Sequence, residues 1–142
     1  DATYALLKDS GTAFIVVAVP ERDALREAAY FVERLNQDEM PLGGLILNRV
    51  QEVPETGLTQ DQVMAAAQKL TAENTGALTA ALLGLHAERM EIKGRQKHLA
   101  SRFTAAHPSV PAQPVPAMTQ DVHDLEGLRE IGAALANQEI NW

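Results

Sequence analysis

Two short apolar runs organise this chain. Residues 13–19 read Ala-Phe-Ile-Val-Val-Ala-Val and stop at Pro20-Glu21, and residues 43–50 read Gly-Gly-Leu-Ile-Leu-Asn-Arg-Val, breaking at Asn48-Arg49. Neither alternates with polar residues. They predict strands over 12–19 and 42–47, the first covered on both faces, as in a parallel sheet flanked by helices. Between them Leu25, Ala28, Val32 and Leu35 recur at helical spacing behind Asp23, which is expected to cap that helix. The crossover over residues 20–41 is too long for a hairpin and long enough for a right-handed βαβ unit. Open α/β sheets bind ligands beyond the carboxyl ends of their strands, so the polar residues waiting there are the first functional candidates.

The same pattern reading extends to the rest of the chain. Residues 3–8, with Tyr4, Leu6 and Leu7, predict the end of a helix closed at Asp9-Ser10-Gly11, where Gly11 suits a left-handed terminating residue. Residues 51–57 form a loop. Thr59-Gln60-Asp61-Gln62 is a capping box, in which the Thr hydroxyl and the Gln amide satisfy each other's free N–H groups, opening a helix to residue 70. Asn74 or Thr75 starts a longer helix with the stripe Leu78, Leu82, Leu85, Arg89, Ile92, Gln96, Leu99 and Phe103. Unbroken over 77–105 it spans about 43 Å, with Gly84 and Gly94 as candidate bends. Residues 107–118 hold four prolines, which confine a strand over 110–115 to a sheet edge or to non-bonded positions. A last helix, capped by Asp121 or Asp124, turns Leu125, Leu128, Ile131 and Leu135 to one side, and the tail frays after Asn137.

Composition narrows the function classes. The 142 residues suffice for one domain with a real core, and 46% apolar with 22% charged residues is ordinary for a globular protein. No apolar run approaches the ~20 residues of a membrane span. The absence of cysteine removes disulfides, thiolate metal sites and Cys nucleophiles, and fits a cytoplasmic protein. A net charge of −7 with scattered Lys and Arg, and only three Phe, two Tyr and one Trp, argues against nucleic-acid binding. The chain opens at Asp1 directly into a helix and a strand, and reads as a piece of a longer protein.

If the three candidate strands are parallel, Pro20-Glu21, Asn48-Arg49 and Val115-Pro116 lie on one rim. The Asn48 carboxamide offers a donor and an acceptor side by side, matching the N6 and N7 edge of adenine, or else it closes a turn. Arg49 can stack on a purine or reach phosphate, or stand as a solvated strand-end cation. Pro116, Ala117 and Met118 offer a flat apolar wall for a base, although Met118 also suits a core. Glu21 either contacts the nucleotide region or complements the following helix's N-terminus. His86, His98, His107 and His123 show no metal-ligand spacing. Glu88, Arg89, Glu91 and Lys93 read as a solvated helix face. Ser10-Gly11-Thr12 is a turn without a base partner and not a nucleophile elbow.

The segments at 12–21, Glu27-Ala28, and 41–50 resemble the later half of the ArsA family, the arsenite-pump ATPases and the related ATPases that target tail-anchored membrane proteins. There a T-x-F-V-x-V-x-x-P-E segment leads to an x-x-V-V-N-R-V segment, followed by a helical insert and a proline-bearing strand. Gln96-Lys97-His98-Leu99 to Phe103, and Val115-Pro116-Ala117-Met118, are similar to the family's R-x-Q-x-K-Y-L helix and V-x-x-P-L-L loop. The resemblance covers nearly all of residues 1–142, with the first two segments the more specific.

That resemblance implies the C-terminal portion of one deviant-Walker P-loop ATPase domain, α/β with a helical insertion at about 58–106. It implies a homo- or heterodimer of ATPase subunits that works with a membrane transporter or a membrane-protein client. Asn48 would read the adenine of ATP, Arg49 would flank it, and Pro116, Ala117 and Met118 would cover it. No G-x-x-x-x-G-K-[ST] occurs in the chain, and the aspartates for Mg²⁺ and the attacking water are also missing. Phosphoryl transfer depends on those parts, so the chain alone is expected not to hydrolyse ATP and contains no catalytic residue. Mg²⁺ would be held by residues outside this chain, and the parent gene is expected to encode K-G-G-x-G-K-T upstream. Eukaryotic targeting members carry a zinc-clamping C-x-x-C that is absent here, and Asp121-Val122-His123-Asp124 replaces the common E-V-x-G. Both departures point to a bacterial branch. The rival readings are a stand-alone interaction domain using the 77–105 helix as its binding face, and a family member that binds nucleotide without turnover.

Overall fold

The computed structural model describes residues 2–136. The elements run α1 (Ala2–Leu7), β1 (Phe14–Ala18), α2 (Arg22–Gln37), β2 (Leu42–Val50), α3 (Gln60–Ala72), α4 (Ala77–Ala106), β3 (Ala112–Pro116) and α5 (Leu125–Ala136). The expected fraying after Asn137 lies outside the described residues. The fold is α/β: a parallel three-stranded sheet in the order β1-β2-β3, flanked by helices. The chain divides into two compact units, Asp1–Val50 with Gln96–Trp142, and Gln51–Arg95.

In the first unit β2 is central and its ladder sets the register. Val16 and Ala18 pair with Leu45 and Leu47, and Leu45 pairs on its other side with Ala112. Paired residues in a sheet share a face, so these five form one apolar surface. Leu25, Ala28 and Val32 of α2 and Ala100 and Phe103 of α4 join Leu45, Leu47, Val50 and Val110 in a single core cluster. The helical stripe of α2 is thus buried as its spacing predicts. Its cap is different: Glu21 is the N-cap, without a side-chain cap bond, and Asp23 lies within the first turn beside Arg26, 3.1 Å away. The chain becomes helical immediately after the buried Pro20, leaving Asp23 inside, where its charge complements the helix dipole.

The second face of the sheet departs from the expected cover. α5 packs against β3, while Ile15 and Val17 of β1 remain 52% and 59% exposed. At the opposite edge the prolines fit the ladder. Pro111 C=O accepts from Leu45 N–H (2.8 Å) and Ala117 N–H donates to Val50 C=O (2.9 Å), so alternation turns the backbone nitrogens of Pro114 and Pro116 away from β2. Their missing N–H groups cost no bond to β2 and blunt the free edge.

Other expectations shift locally. Gly11 is not left-handed; its N–H donates to Asp9 Oδ1 (2.8 Å) and Thr12 Oγ1 donates to Leu6 C=O (2.7 Å), which closes α1 through side chains. α2 ends on the left-handed Glu39, with Met40 N–H donating to Leu35 C=O at 2.9 Å. In α5, Asp124 is the cap, accepting from Gly127 N–H at 2.8 Å. The predicted α5 face is open in its first part, with Leu125 70% and Leu128 57% exposed, whereas Ile131 and Leu135 are half-buried.

The second unit holds α3 and the first part of α4. Thr59 and Gln62 form the capping box, with both reciprocal bonds present. α4 continues through Gly84 and Gly94. Leu78, Leu82 and Leu85 are exposed, whereas Ala80 and Ala87 are buried. Within this unit the leucine positions are therefore not the ones the fold covers. Among the described residues, no helix is long and apolar enough to cross a membrane.

The backbone approach at Gly44 is directly testable. A Cβ there would lie 2.8 Å from Pro111 O, the oxygen that already accepts from Leu45. Gly44→Ala is expected to force β2 and β3 apart and to cost about 1–3 kcal/mol, read as a lowered urea midpoint. An unchanged midpoint would show that the strands tolerate the separation.

Candidate nucleotide site

The site begins where β2 stops matching β3. Leu47 pairs with Pro114 and Val50 with Pro116, so three steps along β2 oppose two along β3. The extra residue is absorbed as a bulge. Arg49 takes φ 59°, the left-handed region, and its N–H donates to Asn48 Oδ1 at 3.0 Å. The bulge returns Val50, 1% exposed, to the core and leaves Asn48 half-buried and Arg49 exposed. Bulges of this kind re-aim side chains next to binding sites.

Around this bulge lies an open cleft of about 630 Å³ lined by Asn48, Arg49, Pro116, Ala117 and Met118. The residues singled out at two separate strand ends thus come together in one cavity. Glu21, at the end of β1, is not among its lining residues. Val115, Gln120, Asp121, Val122 and Ile131 complete the wall. These were not singled out as ligand contacts from sequence. Residues 120–122 lie just past the proline loop, and Ile131 is on the apolar side predicted for α5; those positions are the available signal.

The cleft has distinct polar and apolar parts. Asn48 Oδ1 is already engaged by a backbone N–H, which fixes the carboxamide orientation. Its second lone pair and the Nδ2 hydrogens remain chemically capable of pairing with a donor–acceptor edge. The bond equally closes the bulge, so the structural role of Asn48 is real whatever else the side chain does. Arg49 Nη2 lies 3.9 Å from Asp121 Oδ1, with both side chains largely exposed, so their attraction is small and salt-sensitive. Gln96 of α4 donates from Nε2 to Arg49 C=O at 3.5 Å, a long contact that places α4 beside the bulge.

The histidines occupy local settings. His107 stacks on Phe103 with centroids 4.7 Å apart, and His123 Nδ1 lies 2.8 Å from Asp121 O. Among the described residues no group of three or more His, Asp or Glu is arranged to hold a metal ion.

No protein-family model matches this sequence, and no curated protein matches it. The resemblance drawn from the strand-end motifs therefore has no independent support from these comparisons. The α/β fold stands on the geometry of the sheet.

The left-handed bulge separates backbone demand from side-chain chemistry. β-branched residues resist φ 59° most and glycine accepts it freely. Arg49→Val is expected to be less stable than Arg49→Gly by about 1–2 kcal/mol in chemical denaturation. Equal stabilities would mean that the bulge relaxes when the arginine is lost.

Proposed function

We propose that this chain supplies the adenine-binding part of an ArsA-like ATPase of a bacterial branch, acting in the cytoplasm as one subunit of a homo- or heterodimer. The observation that carries this reading is the convergence of Asn48, Arg49, Pro116, Ala117 and Met118 on one cleft. They come from two parallel strand ends on the rim where open α/β sheets place their ligands. The cleft combines what a purine requires: a carboxamide with paired donor and acceptor, and apolar surfaces from Pro116, Ala117, Met118 and Ile131.

ATP, when bound, would supply the transferable phosphoryl group. In this chain Asn48 would read the N6 and N7 edge, Arg49 would flank the ring, and the Pro116–Met118 loop would cover it. The lining residues suit the base better than the phosphates or Mg²⁺, which belong to residues outside this chain in this reading. The uncovered apolar pair Ile15 and Val17 supports a sheet that continues into further structure, since parallel sheets are normally covered on both faces. The client or transported ion, whether arsenite, a membrane-protein tail or another, is left open by the same residues.

A second reading, a stand-alone interaction domain, is favoured by Leu78, Leu82 and Leu85 on α4, which are 74%, 57% and 44% exposed. These follow helical spacing and make an apolar stripe of the kind partner helices use.

The two readings separate at Asn48. In the intact protein, Asn48→Ala should weaken adenine-nucleotide binding by about 1–3 kcal/mol, measured by calorimetric titration, with little effect if the domain serves only as an interaction module. Unchanged affinity would remove Asn48 from the base-reading role.

A further inference from the structure

We infer that the cleft selects the neutral purine nucleoside and disfavours the polyphosphate, so that this chain by itself binds adenosine at least as tightly as ATP. This rests on the purine reading of the cleft and goes beyond it by assigning the chemical class of ligand that these residues take unaided. The cleft continues into a smaller cavity of about 260 Å³, and the two share Met118, Gln120, Asp121 and Val122. Four carboxylates, those of Asp121, Asp124, Glu126 and Glu130, line the combined space, and Arg49 is the one Lys or Arg among its lining residues. That guanidinium already faces Asp121 at 3.9 Å.

The nearest natural anion cradle is also taken. A helix N-terminus attracts phosphate because its free N–H groups and dipole favour negative charge. At the start of α5, however, Asp124 Oδ1 accepts from Gly127 N–H at 2.8 Å, and Glu126 occupies the first turn. A carboxylate thus fills the place a phosphate would use. A base in the cleft would meet Asn48 and apolar walls, whereas a triphosphate tail directed into the adjoining cavity would meet like charge on α5 and the loop before it. Adenosine has no such tail. Selection arises from repulsion of the wrong ligand form as well as attraction of the base.

Calorimetric titration of the chain with adenosine, AMP and ATP, without divalent metal, tests this at about 20 mM and about 300 mM salt. Adenosine is expected to bind more tightly than ATP by roughly three- to tenfold at the lower salt, with AMP between them and the gap closing at the higher salt. The double variant Glu126→Gln/Glu130→Gln, and separately Asp121→Asn, should each raise the ratio of ATP to adenosine affinity by roughly two- to fivefold. Tighter binding of ATP than of adenosine at low salt would overturn the inference while leaving the purine reading in place. Binding of none of the three at millimolar concentration would overturn both. A ratio unmoved by salt and by the carboxamide variants would also overturn it, because the carboxylates would then play no part.

Discussion

The mismatch of one residue between β2 and β3 after Leu47 shapes the end of the sheet where the candidate cleft lies. Hydrophobic burial requires Leu47 and Val50 both to reach the core, yet three positions of a regular strand would alternate faces and send one of them outward. Left-handed geometry at Arg49 resolves the conflict by inserting a residue, and the Asn48 side chain accepts from the Arg49 N–H. The fold keeps its core, and two polar side chains are left at the rim. The candidate site is thus a by-product of packing at the strand end, and its shape is tied to the stability of the sheet.

The β3 edge is built to support that bulge without competing with it. Proline at every second position removes outward-facing donors only, and the strand still receives Leu45 N–H at Pro111 and supplies Ala117 N–H to Val50. Because the ladder resumes beyond the bulge, the Pro116–Met118 loop is held directly beside Asn48. A longer, unprolined edge strand would present free backbone groups to neighbouring chains. The local rigidity of proline also lowers the entropy cost of holding the loop.

Electrostatics divides the same region into two characters. The Asn48 carboxamide and the apolar wall lie around the bulge, while the carboxylates of α5 and its preceding loop crowd the adjoining cavity. In the proposed ATPase, the positive groups needed for phosphate must come from elsewhere in the assembly. A site assembled from two such parts would bind nucleotide fully only when both are present.

Much of this was legible in the sequence. Two apolar runs with a helical period between them predict parallel strands and a covered helix, and Leu25, Ala28 and Val32 are buried as that period requires. The Thr59–Gln62 box needs only local hydrogen bonds, so four residues determine it. Asn48, Arg49 and the proline loop could be marked as strand-end polar and apolar residues, but their convergence depends on register, which a sequence leaves open. On α4 the predicted stripe holds at Phe103, in the core cluster, but fails at Leu78, Leu82 and Leu85, where Ala80 and Ala87 are buried instead, and Ile15 and Val17 are left uncovered. Periodicity records which residues are able to be buried; the packing of elements distant in sequence decides which ones are.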